Sequence, residues 1–150
     1  MKILEETLKA DEGFSETVYL DTKNNLTVGW GHKIEIGDQI NEVIATEWLK
    51  MDLAYAVSSF LRIPARYRHR LNKARRRVII CMLFNMGYDA VWAPDAPGGF
   101  DKMWTHILDE NWSEAKIEML DSRWRQDVGK KRAERLADIM ESGIWPGEED

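Results

Sequence analysis

Residues 72–86 constrain the fold more than any other stretch. They open on Lys73, Arg75, Arg76 and Arg77 and close on the run Val78-Ile79-Ile80-Cys81-Met82-Leu83-Phe84, with Gly87 just beyond. A helix that is apolar on every side is stable only when buried. This one must therefore enter the centre of a helical core, and Gly87 ends it. A chain of 150 residues with 44% apolar and 31% charged side chains can build such a core and has the balance of an ordinary globular protein.

Other elements arrange themselves around that helix. Ile3, Leu4, Thr7 and Leu8 share one face of a short helix over residues 2–11, which Gly13 terminates. Val18-Tyr19-Leu20, the turn-forming stretch Asp21-Thr22-Lys23-Asn24-Asn25, then Leu26, Thr27, Val28 and Trp30 predict a β-hairpin with a longer loop. Gly29, Gly31 and Gly37 mark bends or close backbone approach at its far end. Asn41 caps a long helix over 42–62 that Pro64 stops. Its apolar stripe is Leu49, Leu53, Ala56, Val57, Phe60 and Leu61, while Trp48, Asp52 and Tyr55 occupy a different face. Residues 88–99, with two Pro and two Gly, read as a loop. Helices follow near 100–109, 113–124 and 130–142, with Ser113 as an N-cap and Gly143 as a stop. The expected class is α+β in one domain: a hairpin-bearing lobe over 1–41, a connecting helix over 42–62 and a helical lobe over 63–150. A cleft between two lobes is the natural place for a substrate.

Composition removes several function classes. Cys81 is the sole cysteine, so no internal disulfide can form, and its apolar neighbours make it a buried, inert residue. No window approaches the ~18 apolar residues of a membrane span, and Met1-Lys2-Ile3-Leu4-Glu5-Glu6 carries acids where a signal peptide is apolar. The expectation is a protein made in the cytoplasm that needs another route to any target outside. The net charge of −5 is uneven. Residues 1–61 carry 5 basic and 11 acidic groups, 62–77 carry 8 basic and none acidic, and 78–150 carry 8 basic and 15 acidic. The central island reads either as a solvated helix face or as a patch drawn to an anionic cell envelope. The acidic flanks speak against a general nucleic-acid binder. Seven Trp serve packing or the stacking of sugar rings.

Three polar residues stand at telling places. Glu12 falls in the last turn of the first helix, Asp21 where the first strand enters its turn, and Thr27 on the returning strand. Two carboxyls and a hydroxyl suit acid–base hydrolysis of a glycosidic bond. One carboxyl is protonated to donate to the leaving oxygen, and the other is ionised to handle water or positive charge. On spacing alone, surface carboxylates and a strand threonine account for the same residues.

The wider pattern resolves this. Asp11-Glu12-Gly13-Phe14, Val18-Tyr19-Leu20-Asp21-Thr22 and Leu26-Thr27-Val28-Gly29-Trp30-Gly31-His32 closely resemble the active-site region of the T-even phage lysozyme family. The shared pattern is Glu, eight residues, Asp, five residues, Thr, then Gly-x-Gly-His. Asp52, Phe84-Asn85-Met86-Gly87, Gly99-Phe100, Asn111-Trp112, Ser122-Arg123-Trp124 and Arg132-Ala133 extend it in order over nearly the whole chain.

The resemblance implies an inverting muramidase of the endolysin type. It would cut the β-1,4 bond between N-acetylmuramic acid and N-acetylglucosamine in peptidoglycan, with no metal or cofactor, as a monomer without stable membrane insertion. Glu12 is then the general acid, Asp21 the second carboxylate and Thr27 the residue that helps place water. Inversion implies a carboxyl separation of roughly 6.5–9.5 Å. His32 is implied to be structural, paired with Asp52. Phe84 and Asn85 match cleft-lining positions, although Phe84 reads equally as core. Arg132 matches an arginine paired with the catalytic glutamate. The segment from Arg125 to Lys131 is one residue longer than the pattern, so Lys131 competes.

Two departures matter. The chain between His32 and Asn41 is shorter than in the best-known member, and the 88–99 loop is longer, with Trp92 either contacting glycan or capping the loop. The implied setting is the host cytoplasm first, then the cell wall after membrane permeabilisation. A lytic transglycosylase, which needs no paired Asp–Thr water site, and a non-catalytic wall-binding module are the alternatives.

Overall fold

The protein is described by a computed structural model covering residues 2–92 and 100–148, apart from the side chains of Lys2, Ile3 and Glu12. The order is α1 (Lys2–Glu12), β1 (Ser15–Leu20), β2 (Leu26–Gly29), β3 (His32–Lys33), α2 (Glu42–Arg62), α3 (Ala65–Arg68), α4 (Lys73–Met86), α5 (Tyr88–Val91), α6 (Asp101–Leu108), α7 (Trp112–Leu120), α8 (Trp124–Asp127) and α9 (Lys130–Ser142). The class is α+β. Two compact units divide it, residues 1–45 and 46–150, so the division falls within α2.

In the first unit, Gly13 closes α1 with φ +68°, its N–H donating to Lys9 O at 3.2 Å. The hairpin strands β1 and β2 pair antiparallel, with an irregular register between Ser15 and Tyr19. The expected bends at Gly29 (φ +67°) and Gly31 (φ +74°) turn the chain into β3, a short third strand that two polar residues did not announce. The sheet order is β1-β2-β3. Phe14 and Trp30 stack with ring centroids 4.7 Å apart, and Lys9 lies over the indole at 4.8 Å. Asn41 Oδ1 accepts from Ile44 N at 3.0 Å and caps α2.

In the second unit, α4 is the central helix. Val78, Ile79, Met82 and Leu83 are buried, joined by Met103, Trp104 and Ile107 of α6, Ala115 and Met119 of α7, and Leu136, Ala137 and Met140 of α9. Each large side chain so buried contributes roughly 1.5–3 kcal/mol. Only part of the α2 stripe reaches this core. Ala56 and Phe60 are buried with Ser59, whereas Leu49, Leu53, Val57 and Leu61 are exposed. Cys81 is half-buried rather than buried. Burial raises its thiol above the ordinary value, and Arg132 and Arg135 partly offset this, so the thiol stays protonated and inert.

Three helical expectations are corrected. α7 starts at Trp112, with Asn111 as its cap, and Ser113 lies inside it. It stops at Leu120, where Ser122 Oγ donates to Met119 O at 2.6 Å and competes for a terminal carbonyl. The start of the expected 88–99 loop is instead the short helix α5, because Val91 is buried and its carbonyl accepts the Trp104 Nε1 proton at 2.8 Å. Residues 93–99 of that loop, and Glu149 and Asp150 of the acidic tail, lie outside the described residues.

Arg62, Arg66, Arg70, Lys73 and Arg76 of the cationic island are exposed, as on a solvated face, and its cations also make specific contacts. Arg62 lies over Tyr88 at 3.7 Å and Arg66 over Tyr67 at 5.0 Å. Arg68 and Arg76 donate to the carbonyls of Ile63 (2.7 Å) and Leu71 (2.9 Å). Arg70 pairs with Glu110 at 2.7 Å, and Lys73 and Arg77 pair with Glu148 at 3.3 and 2.7 Å. Arg75 donates to Met140 O at 2.8 Å and to Glu141 O at 2.9 Å while stacking on Trp112 at 3.8 Å. Asn72 caps α4 through Arg75 N and donates to Gly143 O at 2.8 Å.

The last carbonyls of a helix lack partners within it, and a cation there is favoured. The start of α4 therefore caps the end of α9. Arg75→Met is expected to lower the unfolding free energy by about 1–3 kcal/mol, since two carbonyls lose charged donors. Arg75→Lys recovers only part, because one ammonium does not reproduce the guanidinium fork. Equal urea midpoints for wild type and Arg75→Met would reject this role.

Candidate active site

Glu12 is the last residue of α1, and Gly13 swings the chain from it into β1. Its side chain lies outside the described residues, and with it the expected carboxyl separation.

Asp21 sits at the mouth of the hairpin turn. Its backbone N–H donates to Asn25 O at 2.9 Å, and its carbonyl accepts from Asn24 N at 3.0 Å. Asn24 takes φ +61°, a left-handed conformation that Asn tolerates better than most residues. The turn aims donors back at the Asp21 carboxylate. Oδ1 accepts from Lys23 N at 2.8 Å and Asn25 N at 2.9 Å, and Oδ2 accepts from Asn25 Nδ2 at 2.9 Å. The Asn25 side chain, then its backbone N–H, lower the Asp21 pKa below the usual carboxylate value; desolvation opposes them, and Lys23 N–H and the Lys33 charge add smaller lowering effects. These bonds favour the ionised form of Asp21.

Thr27 is 3% exposed, and its hydroxyl donates to Asn25 O at 3.1 Å. It pairs in register with Tyr19 on one side and Lys33 on the other, so these three share one face of the sheet. His32 pairs with Val28 and so faces the opposite way. That placement puts His32 and Thr27 on opposite faces of the sheet. Sequence reasoning passed over Asn25. The signal was present in the turn itself, an Asp followed four residues later by Asn, an arrangement in which side-chain bonds to nearby backbone are common.

In the second unit, Asp52 is exposed on α2, and Phe84, 39% exposed, ends α4 with Asn85. Asn85 Oδ1 is buried and has no hydrogen-bond partner among the described residues. Arg132 and Arg135 of α9 both act by charge on Cys81 of α4. Lys131 lines a groove with Glu134, Arg135 and Asp138. Trp92 meets Tyr67 edge-on at 4.8 Å and Trp104 at 5.2 Å, so it belongs to an aromatic cluster of the core. Among the described residues no helix is long and apolar enough to cross a membrane.

A helix ending on glutamate, followed by a hairpin that presents an ionised aspartate beside a buried threonine, with a separate helical core, defines an α+β protein of the lysozyme-like class. The sequence matches the family described as phage lysozyme across residues 9–138. Two curated relatives from Dictyostelium discoideum are similar along nearly their full lengths. "Probable T4-type lysozyme 2" is 27% identical and "Probable T4-type lysozyme 1" 28%, each alignment covering 93% of this chain and 94% of the relative. The chain belongs to the phage lysozyme family, and so to the glycoside hydrolases that act on the peptidoglycan of the cell wall.

Proposed function

We propose that the protein is an inverting muramidase that hydrolyses the β-1,4 bond between N-acetylmuramic acid and N-acetylglucosamine. The observation that carries this reading is the Asp21 carboxylate held as an anion beside the buried Thr27 hydroxyl, in the unit whose first helix ends on Glu12. Glu12 protonates the glycosidic oxygen. Asp21 takes a proton from water, or balances the positive charge of the transition state, and Thr27 helps to hold that water. Phe84, exposed near the end of α4, and the neighbouring Asn85 line the glycan-binding surface. His32, Asp52 and Arg132 support the machinery without entering the chemistry. The protein acts as a monomer in lysis of a bacterial host by a phage or prophage. It starts in the host cytoplasm and reaches the wall once the membrane is breached.

Product analysis of digested peptidoglycan tests the reaction. Reducing muramic acid ends, first formed with inverted anomeric configuration, are expected. Anhydro ends would reassign the protein as a lytic transglycosylase, and wall binding with no released fragments would reassign it as a binding module. Asp21→Asn is expected to lower turnover about 10²–10⁴-fold, the usual contribution of a positioned acid or base.

A further inference from the structure

We propose that Asn25 is the positioning residue of this site, orienting both the Asp21 carboxylate and the Thr27 hydroxyl so that one water is held with its lone pair free to attack. The proposal rests on the roles given to Asp21 and Thr27 above. It follows from counting donors and acceptors around one residue. Asn25 reaches both oxygens of the carboxylate, Oδ1 through its backbone N–H and Oδ2 through Nδ2, each at 2.9 Å. Its carbonyl accepts from Asp21 N at 2.9 Å and from Thr27 Oγ1 at 3.1 Å. Rotation of the carboxylate would break one bond or the other.

The two oxygens are thereby made unequal. Oδ1 already accepts two protons, from Lys23 N and Asn25 N, whereas Oδ2 accepts one. A carboxylate oxygen has about two lone-pair directions, so Oδ2 is the oxygen with room for a water proton. Thr27 has a single hydroxyl proton, and it is committed to Asn25 O. Toward a water, Thr27 can therefore only accept. A water shared by Thr27 Oγ1 and Asp21 Oδ2 must direct both of its protons at them, which leaves its lone pairs pointing away. As the bond to the sugar forms, the proton on the Oδ2 side passes to Asp21.

Among the described charged and titratable groups of the strands around the turn, Glu16, Tyr19, His32 and Lys33, only Lys33 acts on Asp21 by charge, and it favours the anion as Asn25 does.

Asn25→Ala removes the carboxamide and keeps the backbone bonds. Its kcat on soluble uncross-linked glycan strands is expected to fall about tenfold, the worth of one hydrogen bond to a charged group, with KM within twofold. Asp21 must be ionised to work, so loss of a donor that favours the anion raises its pKa and moves the acid limb of the pH–rate profile to higher pH. Carboxyl NMR titration of Asp21 should move the same way. Asn25→Asp keeps the shape of the side chain but exchanges the donor for a like charge, and it is expected to move both readouts further. It also serves as the test if the alanine variant does not fold. An unmoved acid limb and an unmoved Asp21 titration in a folded variant, with Asp21→Asn inactive, would overturn the role of Asn25 alone. Wild-type turnover in Asp21→Asn would instead overturn the underlying reading of the site.

Discussion

Glu12→Gln is expected to yield a folded protein whose lysis of cell-wall suspensions has dropped by about 10²–10⁴-fold. The amide matches the carboxyl in size but cannot hand a proton to a glycosidic oxygen. The bond must then break against an unprotonated leaving group, and neither Asp21 nor Thr27 can replace the lost acid. Stability should move little, and upward if at all. Position 12 closes α1, and the C-terminal end of a helix disfavours negative charge by about 0.3–1 kcal/mol, so a neutral side chain there is tolerated. Turbidity clearance measured beside a thermal melt separates the two effects. Full lysis by a variant that melts like the wild type would remove residue 12 from the chemistry.

The largest effect on stability is expected at Trp104. Its side chain is 4% exposed and carries several interactions at once. Nε1 donates to the buried Val91 carbonyl at 2.8 Å, and the indole meets Trp92 edge-on at 5.2 Å and Tyr67 at 5.7 Å. Trp104→Ala leaves a cavity, strands the Val91 carbonyl and removes the ring that Trp92 packs against. Loss of about 3–5 kcal/mol is expected. Trp104→Phe keeps most of the volume and isolates the lost hydrogen bond, at about 1–3 kcal/mol. Urea unfolding followed by far-ultraviolet circular dichroism measures both. A Trp104→Ala midpoint equal to that of wild type would mean that α5 and α6 are not joined through this ring.

Stability and chemistry are thus expected to separate along the chain. The proposed acid, second carboxylate and threonine all fall within residues 1–45, while the buried apolar cluster falls within 46–150. Variants at Trp104 or Arg75 should lose activity only as they unfold. Variants at Glu12 or Asn25 should lose it while folded.

Local sequence determined a large part of this protein. Asn41 and Asn72 start their helices and Gly87 and Gly143 end theirs, because a cap is satisfied by atoms within about four residues. The hairpin, the places of Asp21 and Thr27 within it and the buried run of α4 are legible for the same reason: turn chemistry and hydrophobic period act at short range. Asn111 rather than Ser113 caps α7, because its side chain accepts from Glu114 N and starts the helix at Trp112, leaving Ser113 inside it.

Tertiary structure decided what depends on distant neighbours. The cations of residues 62–77 gave no sign of their partners, because Glu110, Met140, Glu141 and Glu148 lie 40–75 residues away from the side chains they bind. Trp92 could be a sugar platform or a piece of the core until Tyr67 and Trp104 closed around it. A composition counts charges and rings, but packing chooses which of them meet. That choice made Arg75, one cation of a largely exposed island, the cap of a distant helix.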